Sequence, residues 1–258
     1  MTPIFFSAAE IVRFFIVLLR ISGIMLLAPL FSSQSIPTYV RVAFALVITL
    51  VLAPSLPLNA IPPELNLGNM VGLFLGEILV GVLLGFAAIC VFGGFQFAGQ
   101  VISFQLGFSL VNVIDPQTQV DSSVFSFFQN YIGLLFFLII NGHHWFLLAI
   151  NDSFSVLPVG GVHLPGPLFQ YLIHLTAELL VIGLRIAGPI IAVAIITDVI
   201  MGVLGRAAPH INILIVGMPL KALVGFGCLS LSFYFLPRYL EGVYSTLHQT
   251  LFLLLHAI

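Results

Sequence analysis

The chain has 258 residues, of which 60% are hydrophobic and only 6% charged, with a formal net charge of −2 and a mean hydropathy of +1.23. Soluble domains carry about 25% charged residues, so this composition excludes a water-soluble protein, and seven scattered lysines and arginines exclude a nucleic-acid surface. Runs such as 132–140 and 179–196 lack the apolar/polar alternation of barrel strands, which points to an all-α membrane protein with its backbone groups satisfied inside helices.

Hydrophobic segments fall at 11–30, 40–56, 71–92, 125–140, 144–157, 172–205 and 211–236. Each is to be judged against the roughly 20 apolar residues that cross a bilayer core of about 30 Å. Glu10, Arg13 and Arg20 interrupt the N-terminal stretch where a cleaved signal sequence has an uncharged centre, so the N-terminus is expected to be retained. Pro54, Pro57, Pro62 and Pro63 mark one loop. The Gly/Pro run from Pro158 to Pro167 marks another, and it divides the chain into 1–157 and 158–258. In the third segment Gly72, Gly76, Gly81 and Gly85 follow at spacings of four, five and four. These two small-xxx-small pairs allow close approach of a neighbouring helix or subunit.

Between Arg41 and Arg185 there is no lysine or arginine, and inside that reach residues 99–130 are conspicuously polar. Gln96, Gln100 and Ser103 stand at i, i+4 and i+7 and form a stripe on one helix face. Gln105, Ser109, Asn112, Asp115, Gln117, Thr118, Gln119 and Asp121 follow. Asp115-Pro116 predicts that the helix ends near Ile114, because the residue before a proline is pushed out of the helical region. Phe104, Leu106, Phe108, Leu110, Val111, Val113 and Ile114 are interleaved with the polar residues. That is too many large apolar side chains for an ordinary solvated loop, and the pattern predicts a water-facing element.

Further along, 144–157 is too short to cross a bilayer unaided. The segment 172–205 would be about 50 Å long as a straight helix and is predicted to bend or break at Gly188-Pro189. Such lengths suit helical hairpins with broken helices, buried in an assembly. Arg13, Arg20, Glu77, Glu178, Arg185 and Asp198 lie within apolar segments, where a charge facing lipid costs at least about 2.5–3.5 kcal/mol. All six are therefore expected to be buried against partners or water. The spacings of Glu10 with Arg13 and of Glu178 with Arg185 let each pair share a helix face. Loop charges are too few for the positive-inside rule to set an orientation. Leu240, Val243, Tyr244, Leu247, Leu251, Leu254 and Leu255 predict an amphipathic C-terminal helix over 239–258 that packs on a partner.

Reactive residues form no recognisable constellation. Cys90 and Cys228 stand in apolar sequence without C-x-x-C spacing and are expected as buried thiols. His143 and His144 are adjacent and diverge by about 100° on a helix. His163, His174 and Asp152 lack metal-site spacing, and no G-x-S-x-G elbow occurs. No metal, no cofactor and no enzymatic activity are expected.

Seven motifs, in order, resemble those of the FliR/SctT family: Ser35-Ile36-Pro37 with Arg41, Ala98-Gly99-Gln100, Gln105-Leu106-Gly107-Phe108, Val113-Ile114-Asp115-Pro116, Asn141-Gly142-His143-His144, Arg206-Ala207-Ala208-Pro209 and Gly217-Met218-Pro219-Leu220-Lys221. Members are export-gate subunits of type III secretion systems, in flagella and injectisomes, and the resemblance covers essentially the whole chain. It implies a FliP-like region at 1–157 and a FliQ-like hairpin with an amphipathic helix at 158–258. It also implies a hetero-oligomeric membrane export gate shared with FliP/SctR-like, FliQ/SctS-like and FlhB/SctU-like subunits. That gate sits in the bacterial inner membrane, within the flagellar basal body, and passes unfolded export substrates.

The resemblance also implies that about 105–121 is the family's plug loop. Its core is Gln105, Leu106, Gly107, Phe108, Ser109, Leu110, Val111, Asn112, Val113, Ile114, Asp115 and Pro116, with Phe108, Leu110 and Val113 as sealing side chains. The family often carries aromatic residues where Leu110 and Val113 stand, and glutamine where His210 stands. The stretches at 206–209 and 217–221 look more like the flagellar branch, the injectisome subunit being the alternative. A small-solute transporter, with helices broken at Asp115-Pro116 and Gly188-Pro189, would show matching interruptions in two similar halves. The halves here do not match. A purely structural scaffold would leave permeability indifferent to the plug segment.

Overall fold

The computed structural model describes residues 7–32, 36–55, 67–108, 124–160, 166–210 and 212–257. Among them are eight α-helices and no strand: α1 (Ala8–Leu27), α2 (Pro29–Ser32), α3 (Thr38–Leu52), α4 (Leu67–Gln105), α5 (Val124–Ile139), α6 (Gly142–Val156), α7 (Gly166–Ala207) and α8 (Ile213–Ala257). Three stretches are long and apolar enough to cross a membrane: Gly68–Gln105, Leu168–Ala207 and Ile215–Tyr244. Although α1 has 20 residues, its three charges, Glu10, Arg13 and Arg20, keep it out of that group.

Local chemistry sets the helix ends. The first helix opens with a capping box in which Ser7 Oγ accepts from the Glu10 N–H at 3.2 Å and Glu10 Oε2 accepts from the Ser7 N–H at 2.8 Å. Glu10 thus serves its own helix end rather than Arg13. Before α3, Arg41 Nε donates to the Ile36 carbonyl at 3.0 Å and fastens the Ile36-Pro37 turn to the helix that follows. Asn141 enters α6 in the left-handed region, at φ 58°, a conformation asparagine tolerates better than most residues.

Helix α4 stops at Gln105, well before the expected end near Ile114. Gly107 lies at φ +86°. Its N–H donates to the Phe104 carbonyl at 3.2 Å, and the Phe108 N–H reaches back to the Ser103 carbonyl at 3.0 Å. These are the two bonds of a Schellman cap, which a glycine at this position favours. Asp115-Pro116 is therefore not what ends the helix.

Two further expectations are narrowed: of the bend or break expected at Gly188-Pro189 the break is excluded, and 239–258 is not a separate helix. Helix α7 runs through Gly188-Pro189 without a break, and α8 runs through Pro219 and Pro237 to Ala257, so 239–258 continues a longer helix instead of forming its own. A full break in apolar surroundings would strand several backbone groups, whereas an internal proline forfeits one hydrogen bond. The Pro189 carbonyl also receives the Cys228 thiol at 3.8 Å.

Contacts divide the chain into two compact units. The first comprises Met1–Cys90, Asn141–Leu175 and Ser245–Ile258. Its core includes Ile16, Val17, Ile21 and Ile24 of α1 with Leu73, Val80 and Leu84 of α4. A Cβ on Gly81 would run into the Arg20 carbonyl and stand 3.0 Å from Gly23 Cα, and one on Gly85 would stand 2.9 Å from the Ile24 carbonyl. The glycine face at Gly81 and Gly85 thus meets the chain's own α1, while a Cβ on Gly72 meets nothing within 4 Å. The second unit comprises Val91–Ile140 and Thr176–Tyr244. Tyr244 anchors its core, with ring centroids 6.1 Å from Phe92, 6.0 Å from Phe95 and 5.3 Å from Phe137. The Tyr244 hydroxyl donates to the Gly133 carbonyl at 2.7 Å.

Candidate functional site

The end of α4 is the root of the polar segment. Gln96 and Gln100 are exposed, but Ser103 is fully buried, so the expected three-residue polar stripe is split. Leu106 is 2% exposed and points at α8, where a Cβ on Gly225 would stand 2.5 Å from both of its methyl groups. Leu106 therefore occupies the space that a side chain at position 225 would claim. Phe108 is 41% exposed, with its ring 6.3 Å edge-on from Phe226. Gln105 is half-buried and Gly107 forms the turn. Ser109, Leu110, Val111, Asn112, Val113, Ile114, Asp115 and Pro116 lie outside the described residues.

The six charges expected within apolar segments divide into distinct environments. Arg20 and Glu77 are completely buried, and Arg20 Nε donates to Glu77 Oε2 at 2.6 Å. Arg20 Nη1 donates to Ser153 Oγ at 2.9 Å, Nη2 to the Leu157 carbonyl at 3.3 Å, and the guanidinium lies 3.9 Å from the Phe154 ring centroid. Ser153 Oγ in turn donates to the Ile150 carbonyl at 2.6 Å. A planar fork with five donors can satisfy several acceptors at once, which a lysine cannot. The other carboxylate oxygen, Glu77 Oε1, is buried and has no hydrogen-bond partner among the described residues. Arg13 and Glu178 are half-buried.

Arg185 and Asp198 depart from expectation, since both are exposed on this chain. Asp198 nevertheless has an ion-pair partner in Lys221 of α8. Cys90 is buried as expected, but Cys228 is half-buried. Among the described residues no three or more His, Cys, Asp or Glu side chains gather in a metal-binding arrangement.

Residues 11–247 match the profile of the family described as Bacterial export proteins, family 1. The chain belongs to this family. The Flagellar biosynthetic protein FliR of Escherichia coli (strain K12) is 31% identical over 236 residues, which cover 91% of this chain and 89% of that protein. The protein of the same name from Bacillus subtilis (strain 168) is 33% identical over 217 residues, 83% of each chain. That from Caulobacter vibrioides is 26% identical over 228 residues, covering 88% of this chain and 91% of that protein.

In this bacterial export protein several structural partners carried no signal in the sequence. Ser153, Phe154 and the Leu157 carbonyl join Arg20 from more than 130 positions away. Gly225 is one glycine among 23, and nothing in its neighbourhood marks it as the seat of Leu106. Gly107 was the legible one, because a glycine behind a helical pattern is a stop signal.

Proposed function

We propose that this chain is a non-enzymatic subunit of the flagellar type III protein export gate in the bacterial inner membrane. There it works with FliP-like, FliQ-like and FlhB-like subunits, lines the route of unfolded substrates and supplies a plug. Residues 1–157 are its FliP-like part and 158–258 its FliQ-like part. The reading rests on the end of α4. A helix of membrane-spanning length stops in a glycine cap and hands over to a short segment rich in both amides and large apolar side chains. A segment rooted by Leu106 in the Gly225 gap is held firmly at one end. Beyond Phe108 the apolar Leu110 and Val113 close a passage by excluding water, as hydrophobic constrictions do, and a passing polypeptide displaces them. The flagellar branch is favoured over the injectisome by the names of the relatives.

Deleting 110–113 tests this. With the complete gate expressed, the variant should make membranes leaky to small ions while the complex is still recovered. Unchanged ion conductance would remove the plug assignment.

A further inference from the structure

On the second unit, α7 and α8 enclose an open, apolar groove of about 310 Å³, lined among others by Arg185, Pro189, Leu231, Phe235, Leu236 and Tyr239. Leu231 is 69% and Phe235 64% exposed, and Leu184 beside Arg185 is exposed as well. Both walls belong to stretches apolar enough to cross a membrane. Arg185 lies near the middle of its own, roughly 26 Å from Leu168 and 33 Å from Ala207 at 1.5 Å per residue. The groove is thus an apolar surface between two long apolar helices, with a cation in its wall.

Arg185 is left there without a counter-charge. Among the described residues no carboxylate stands within ion-pair distance of it, and Tyr239 beside it offers only a hydroxyl. Arg20 and Asp198, the other charges of this kind with known partners, meet opposite charges within the chain. A cation in an apolar wall is matched best by a partner that brings both apolar surface and an opposite charge. An apolar trough as long as a few helical turns, with one cation in its wall, has the form of a helix-in-groove site.

We infer that this groove receives an apolar transmembrane helix from another chain of the assembly, one bearing an aspartate or glutamate that pairs with Arg185. The inference rests on the multi-subunit reading given above and adds the chemistry of the partner helix.

The test places a photoreactive benzoylphenylalanine at Leu231 of the tagged full chain, expressed with the complete set of gate subunits. The complex is purified after irradiation and the cross-linked peptide sequenced. The expected product joins position 231 to an apolar segment of a different subunit with an Asp or Glu within one helical turn. Arg185→Met should lower recovery of the complex by about 30-fold or more, the loss typical of truncating one member of a desolvated ion pair. Arg185→Glu should be as poor, and exchanging the partner carboxylate for arginine should restore it. Products formed only with lipid, with a second copy of this chain, or with a segment lacking an acid would overturn the inference, as would normal recovery of Arg185→Met. Failure of the unsubstituted chain to copurify with any gate subunit refutes the assembly reading and this inference together. An intact complex with a lipid-only product refutes the inference alone.

Discussion

Replacing Glu77 by alanine should be among the most damaging single changes in the chain. The substitution leaves the Arg20 guanidinium at complete burial, with one hydroxyl, one carbonyl and the Phe154 ring as its remaining company among the described residues. Removing one member of a buried ion pair costs about 3–5 kcal/mol, chiefly because the survivor is an uncompensated charge. On the scale of about 2–4 °C per kcal/mol for chains of this length, the midpoint of thermal unfolding should fall by at least about 6 °C. Replacing both members by apolar residues of similar size, Arg20→Met with Glu77→Met, should be far milder. The double change removes both desolvation penalties, including that of Glu77 Oε1, which has no hydrogen-bond partner among the described residues, a lack that costs about 1–3 kcal/mol. The assay is fluorescence-detected gel filtration of the detergent-solubilised chain after heating. A Glu77→Ala midpoint within 2 °C of the unsubstituted protein (about 1 kcal/mol or less), or a double variant as unstable as the single one, would refute the reasoning.

Gly81→Leu should destabilise the chain itself by about 1–3 kcal/mol or more, since its first side-chain carbon would collide with the Arg20 backbone. Gly72→Ala, with open space around the new methyl group, should leave the same heating assay unchanged or slightly improved. Gly107→Ala forces a side chain into the left-handed region at a cost of about 1–2 kcal/mol, so amide hydrogen exchange at positions 107 and 108 should quicken by about 5- to 30-fold. Equal exchange in the two proteins would show that the glycine cap does not hold the end of α4.

Helix existence was legible because apolar runs of this length leave the backbone few choices in lipid. The limits of α5 and α6 came within about two residues of the expected 125–140 and 144–157. Continuity was not legible at Pro189 and Pro237. A proline's effect depends on whether breaking the helix strands more polar groups than it relieves, and that balance is set by neighbours. The Asp115-Pro116 signal misplaces the end of α4, because the glycine cap at Gly107 acts first along the chain. At the charges, sequence spacing proposed partners within one helix, Glu10 for Arg13 and Glu178 for Arg185. The structure instead gives Glu10 to Ser7, while Arg20 and Asp198 pair with residues of other helices. Tertiary packing decides the last two matches, whereas Ser7 and Glu10 form a local capping box.

The distances in sequence around Arg20 carry a consequence for biogenesis. Glu77 lies 57 residues after it, Ser153 133 and Leu157 137. At ribosomal speeds of about 5–20 residues per second, the carboxylate emerges about 3–11 s after the arginine and Ser153 about 7–27 s after it. Throughout that interval α1 can pack on α3, its neighbour in the fold, but Arg20 still lacks its carboxylate. Neutralisation of Arg20 must wait for α4, and the last of its hydrogen bonds for the end of α6.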